Sequence, residues 1–304
     1  MMVAIFVLII TILILLLIDS SKKMNNIPFV PYEDALPPLV QGVIPKIIWT
    51  FWDSDKAPEL VIHCFKNMKK YNPDWSLVIL SPKNLSKYTD EDILGMKMSN
   101  TPQRTSDLVR MAILEKYGGV WCDASLILNS SLNWIYRYEG YEYIGYYIEK
   151  STTRTEYPVI ENWFFACVTG CHFMSMWKEE FFRINEYDTP EDYTDSVIAE
   201  GVDVQNICFI YYLTMHVAAQ KVIQKRMTLQ EFNSTIKLLK AEDGPFKLMD
   251  NGMWNIEYGL RAARDEHHPI VKIIGPSRDS ISKSHALTDL ATSLPGPPPI
   301  SIQN

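Results

Sequence analysis

QRTSDLVRMAILEKYGGVWCDASLIL, running from Gln103 to Leu128, decides how the rest of the chain is read. It predicts a helix ending at Tyr117, a break at Gly118 and Gly119, a short apolar strand Val120 to Cys122, and Asp123 with Ser125 where that strand runs out. A carboxylate at the carboxyl end of a buried strand is where an α/β sheet commonly builds a ligand site. On the helix, Asp107, Arg110, Met111 and Leu114 fall at i, i+3, i+4 and i+7, so the charged pair shares one face. Leu108, Val109, Ala112 and Ile113 cover the other faces; the helix is expected to be buried nearly all round, and its two charges need partners. Either they pair with each other as a structural salt bridge, or their tips meet a polar ligand. Asp123 is open in the same way, as a turn former or cap or as a ligand contact. The glycine pair lets the helix turn sharply into the strand and brings the backbone close to whatever binds there.

Upstream, Lys46 to Trp52 (KIIWTFW) fits a buried first strand. Pro58 opens a helix through Tyr71, striped by Leu60, Ile62, Phe65 and Met68, and Trp75 to Leu80 is a second strand. A polar helical segment is expected near Asn84 to Met98. Downstream, Tyr141 to Ile148 and Asn162 to Val168 read as strands, and His172 to Ile184 as a helix. Val204 to Val222 reads as a long apolar helix, with Ile207 to Leu213 buried in it, and Leu229 to Lys240 as an amphipathic one. The alternation implies an α/β fold: a Rossmann-type, mainly parallel sheet flanked by helices, with a helical C-terminal half.

The ends differ in character. Residues 1–18 are apolar apart from Thr11 and, at about 1.5 Å per residue, reach roughly 27 Å, close to a bilayer core. With no basic n-region and no small-x-small cleavage site, they read as a single-pass membrane anchor rather than a signal peptide. Residues 19–43, rich in proline, form a stem; 44–290 is the folded domain, and 291–304 a disordered tail. Lys22 and Lys23 favour a cytoplasmic domain, whereas the sequons at Asn84, Asn129 and Asn233 would matter only in a secretory lumen, so sidedness stays open. A chain of 304 residues, 47% of them hydrophobic, has ample material for a core, and a net charge of -7 gives no support to nucleic-acid binding. Cys64, Cys122, Cys167, Cys171 and Cys208 are scattered and read as free thiols, mostly in the core.

Four segments in order, IPKIIWTFWD (Ile44 to Asp53), NPDW (Asn72 to Trp75), RTSDLVR and EKYGGVWCDAS, resemble the capsular-polysaccharide-synthesis and initiating-mannosyltransferase group of glycosyltransferases, which carry a DXD sugar-binding region. The resemblance covers Ile44 to Leu128 and weakens beyond it. It implies a GT-A-like fold, a nucleotide-sugar donor, and a glycan or polysaccharide acceptor. Carried over residue by residue, Trp49 and Thr50 would meet the nucleotide, Trp49 by stacking on the base. Asp107 and Arg110 would contact the donor ribose and sugar, and Asp123 would be the first carboxylate of the DXD motif. The second is Ser125 here.

A Ser hydroxyl is a weak neutral ligand for the Mn²⁺ or Mg²⁺ that such a motif implies. The metal would then lean on Asp123, the diphosphate and a ligand from among Asp243, Asp250, Glu257, Asp265, His267, His268 and His285. Trp163, Trp177 and Trp254 offer a sugar-stacking face for the acceptor, or are simply core. The leading expectation is a membrane-anchored, retaining, metal-assisted glycosyltransferase. Its rivals are a non-catalytic nucleotide-sugar binder and a metal-dependent nucleotide-sugar hydrolase.

Overall fold

The computed structural model describes residues 26–246, 255–266 and 269–293. The expected membrane anchor, Trp254, Asp250, His267 and His268 lie outside them, as does residue 294 onward of the tail. No described helix is long and apolar enough to cross a membrane.

Strand β1 (Asn26–Pro28) pairs antiparallel with β3 (Lys56–Pro58), which follows β2 (Ile47–Phe51). Helix α1 (Glu59–Tyr71) leads to β4 (Ser76–Leu80), and α2 (Pro102–Tyr117) leads to β5 (Gly119–Cys122). After β6 (Leu126–Leu128) come β7 (Tyr143–Tyr147), β8 (Ile160–Cys167) and β9 (Ile236–Lys240). The main sheet has the order β4-β2-β5-β8-β7-β9. Its pairings are parallel except those of β8, which runs antiparallel to both β5 and β7. The chain moves outward from β2 to β4, then crosses back to β5 on the other side of β2. Right-handed crossovers in opposite directions put α1 and α2 on opposite faces of the sheet, and the carboxyl ends of β2 and β5 flank the switch point.

Residues 26–36, within the expected stem, are extended but docked. Asp34 takes a hydrogen bond from Leu77 N and an ion pair from Lys69 at 2.8 Å, along the free edge of β4. The expected polar helix over 84–98 is instead two short 3₁₀ turns, Leu85–Lys87 and Ile93–Gly95. Asn84 is itself buried, its side chain bonded to Ser81 N and Ile79 O, and Asn129 is buried too; of the three sequon asparagines, Asn233 is exposed. Four of the five cysteines are buried, and Cys208 is exposed.

Beyond β8, helices α3 (His172–Phe182), α4 (Pro190–Ala199), α5 (Thr214–Lys225) and α6 (Leu229–Thr235) follow. Two expectations fail here. The long helix over 204–222 begins only at Thr214; Gln205 and Phe209 have left-handed backbones, at φ 56° and 54°, which break any helix upstream. Phe209 is 82% exposed, so the 207–213 run is not a buried helix. The amphipathic helix over 229–240 is half strand: β9 takes its second half and pairs parallel with β7. Helix α7 (Ile256–Glu266), strand β10 (Ile270–Lys272), and helices α8 (Gly275–Ser282) and α9 (His285–Thr292) complete the described chain. β10 pairs antiparallel with β6, and with α1 these last elements share a second core around Leu60, Ile127, Val271 and Ile281. Helix α9 therefore carries order past the expected domain limit of 290.

Candidate active site

The site is built by α2 and β5. Thr101 caps α2, its hydroxyl accepting from Arg104 N at 3.2 Å, and Pro102 pre-sets the first turn. The helix stops at Gly118, φ 70°, and Gly119 continues at φ 97°. A Cβ at Gly118 would sit 2.7 Å from Thr169 N, and one at Gly119 2.9 Å from Ile47 O. The glycines therefore serve backbone packing against β2 and the residues after β8, not the approach of a ligand.

Arg110 is the centre of the cluster. Its guanidinium lies 3.3 Å from Asp107 Oδ1 and 3.2 Å from Asp123 Oδ1. It also donates to Asn162 O and to Ser106 Oγ (3.1 Å), and sits 5.0 Å from the ring centre of Trp121. The side chain is 5% exposed, against 14% for Asp107 and 22% for Asp123, so the carboxylates form the accessible surface and the cation the floor. The structure has the first of the two arrangements, since Asp107 and Arg110 are ion-paired, and the same guanidinium reaches Asp123.

Asp123 also accepts from Trp121 Nε1 at 3.0 Å, and its second oxygen takes Lys272 Nζ at 2.6 Å. Burial would raise its pKa, but Lys272 and Arg110 outweigh that and hold the carboxyl below the usual carboxylate range. Asp107 goes the other way: burial exceeds the pull of Arg110, Arg104 and His216, and its pKa is raised. Asn162 donates to Asp107 at 3.2 Å. Arg104 reaches across to Thr214 Oγ1 and Tyr211 O, tying the 203–213 segment to α2. Partial burial, then the Asp107 carboxylate, raises the Tyr212 phenol, so that hydroxyl belongs to the same electrostatic neighbourhood.

Trp49 and Thr50 do not join the cluster. Trp49 is fully buried, donates to Gly118 O at 2.9 Å, and packs on Tyr88 and Tyr117. It is core, with no face free to stack on a base. Thr50 is equally buried, and its hydroxyl has no hydrogen-bond partner among the described residues. Trp163 and Trp177 are core as well: Trp163 stacks on Tyr146, and Trp177 donates to Met215 O. A β2 run buried on both faces carries no alternation to say which side chains face a ligand.

The residues fit a divalent cation poorly. Ser125 is buried and its hydroxyl donates to Ile273 O at 2.8 Å, while Ile273 N donates back to Ser125 O. Both oxygens of Asp123 are already held by cations. Asp243 and Glu257 are paired with Lys240 and Arg261, and among the described residues no three His, Cys, Asp or Glu side chains converge. A cavity of about 610 Å³ lies elsewhere, lined chiefly by carbon from Phe29, Tyr32, Ile62 and Phe65 with three lysines, and shares no residue with the cluster. Tyr212 and Lys272 have no signal in the sequence beyond being polar residues near apolar runs; Arg104 opens the RTSDLVR segment and Asn162 a predicted strand, but neither position announces a place in the site.

The family model for capsular polysaccharide synthesis protein matches residues 40–240. The chain belongs to this capsular polysaccharide synthesis family. An O-glycosyltransferase of Annulohypoxylon truncatum is 29% identical over 160 residues, 46% of this chain and 37% of that protein. Inositol phosphoceramide mannosyltransferase 3 of Schizosaccharomyces pombe is 28% identical over 104 residues, 33% of this chain and 29% of its own. The chain thus spans well under half of the length of either relative. Among solved structures, PaToxG glycosyltransferase aligns over 90% of both chains at a TM-score of 0.38 and 12% identity. The family match ends before β10, so Lys272 lies outside it.

Proposed function

We propose that this protein is a glycosyltransferase of GT-A-like architecture, moving a sugar with retention from a nucleotide-sugar donor to a glycan or polysaccharide acceptor. The observation that carries this reading is the Asp107–Arg110–Asp123 cluster at the carboxyl ends of β2 and β5, in a chain of this family. Asp107 and Asp123 present carboxylate oxygens that accept hydrogen bonds from sugar and ribose hydroxyls. Arg110 fixes both carboxylates in place, so that orientation is set before the donor arrives. Tyr212 and the exposed aromatic segment around it form the acceptor side. Residues 1–18 would anchor the enzyme in a membrane, with 44–290 as its catalytic domain.

Thermal melting of the protein with a panel of nucleotide-sugars tests the reading. One donor should raise the midpoint in the wild type and not in Asp107→Asn; a panel without any shift would sink it.

A further inference from the structure

Among the described residues, Lys272 is the one cation of the site that comes from the far end of the chain. β10 delivers it across a separation of 149 residues, paired with Leu126 in the register of β10 with β6. The side chain is 9% exposed, and its ammonium lies 5.8 Å from the Trp163 ring centre and on the Asp123 oxygen that Arg110 does not hold. Placing a lysine there costs desolvation that a neutral side chain would avoid. Asp123, its partner, remains the most open member of the cluster.

The charges decide what this arrangement suits. Asp107 and Asp123 are matched by Arg110 and Lys272, so the cluster carries no surplus negative charge to draw in a divalent cation. Such a cation needs several free hard oxygens, and here Asp123 is engaged on both sides while Ser125 is turned to Ile273. A diphosphate, by contrast, meets an ammonium whose flexible stem can swing from the carboxylate to a phosphate oxygen, and lysine serves phosphate well as a point charge.

Resting on the glycosyltransferase reading, we propose that Lys272 replaces the divalent cation of the DXD motif, so that donor binding and leaving-group stabilisation in this enzyme are metal-independent. As the bond between the sugar anomeric carbon and the β-phosphate oxygen breaks, its electron pair stays on that oxygen, where Lys272 meets the growing charge. The acceptor hydroxyl oxygen forms the new bond to the anomeric carbon, and its proton goes to the departing phosphate. Ser125, in the position of the second carboxylate, is then a structural clasp between β5 and the end of β10.

Calorimetric titration of the full chain with UDP and with GDP, each in Mn²⁺ and in EDTA, decides it. One of the two should bind with a Kd that agrees within about twofold between Mn²⁺ and EDTA, and Lys272→Met should weaken that binding by about tenfold or more, with Lys272→Arg restoring most of it. Binding that requires Mn²⁺, or that is indifferent to Lys272→Met, overturns the proposal and leaves the glycosyltransferase reading standing. Absence of binding by either nucleotide in both conditions overturns the two together. Should Lys272→Met fail to fold, the wild-type comparison of Mn²⁺ with EDTA still separates metal-independent from metal-dependent binding.

Discussion

The two walls of the site are made by opposite routes. On one side, a single helix and the strand after it, Pro102–Tyr117 and Gly119–Cys122, supply Arg110 with both of its carboxylates nearby in sequence. On the other, one lysine from a three-residue strand arrives from the far end of the chain. The first wall fixes geometry, because Arg110 bridges two acids and is itself braced by Ser106, Asn162 and Trp121. The second sets charge, because Lys272 has Asp123 as its ion-pair partner among the described residues and carries its ammonium on a flexible stem. A local wall is hard to lose by mutation without losing the fold, whereas a remote one can be altered with the fold intact.

The largest effect should separate the walls directly. Arg110→Met leaves two half-buried carboxylates without their shared, buried cation and should cost about 3–5 kcal/mol in urea unfolding. Lys272→Met leaves Asp123 with Arg110 and Trp121 and should cost less, about 1.5–3 kcal/mol. Equal losses would break the contrast between a structural and an electrostatic wall.

Next comes the pH dependence, in which the two carboxylates have opposite signs. Asp123 titrates below its unfolded value, about 3.9, so its contribution is present above that pH and is lost as pH falls through the depressed folded pKa. Asp107 titrates above its unfolded value; what it contributes is present below that value and is lost as pH rises through the raised folded pKa. Unfolding free energies measured across the acid range should therefore show Asp123→Asn removing part of the acid-side loss, and Asp107→Asn removing a loss on the rising side. Matching profiles for the two variants would contradict the assignment.

A smaller effect tests the core assignment of Trp49. Trp49→Phe removes the bond to Gly118 O and should cost about 1 kcal/mol of stability, without changing nucleotide affinity measured by the same titration. A loss of affinity with stability intact would return Trp49 to the donor site.

What can be read from the residues follows the same division. The helix, the glycine break, strand β5 and the juxtaposition of Asp107 with Arg110 are encoded locally, by an i, i+3 spacing and a cap, and the structure has them in place. Strands β2 and β4 are equally legible as β-branched and aromatic runs. The orientation of Trp49 is not, since a strand covered on both faces has no polar alternation to mark its open side. The 203–213 segment reads as helix on its apolar content, and left-handed Gln205 and Phe209 carry no sequence signature such as glycine. Lys272 is beyond reach for a different reason: its role exists only once β10 pairs with β6, a contact that no local pattern announces.

The most direct measurement of the central claim is turnover. The full chain is incubated with a panel of nucleotide-sugars, and release of free nucleoside diphosphate is followed for the wild type and for Asp123→Asn. One donor should be consumed by the wild type, with Asp123→Asn slower by roughly a hundredfold, as for loss of a group that orients and stabilises the reacting charge. No turnover with any donor, or equal rates in the two proteins, would contradict it.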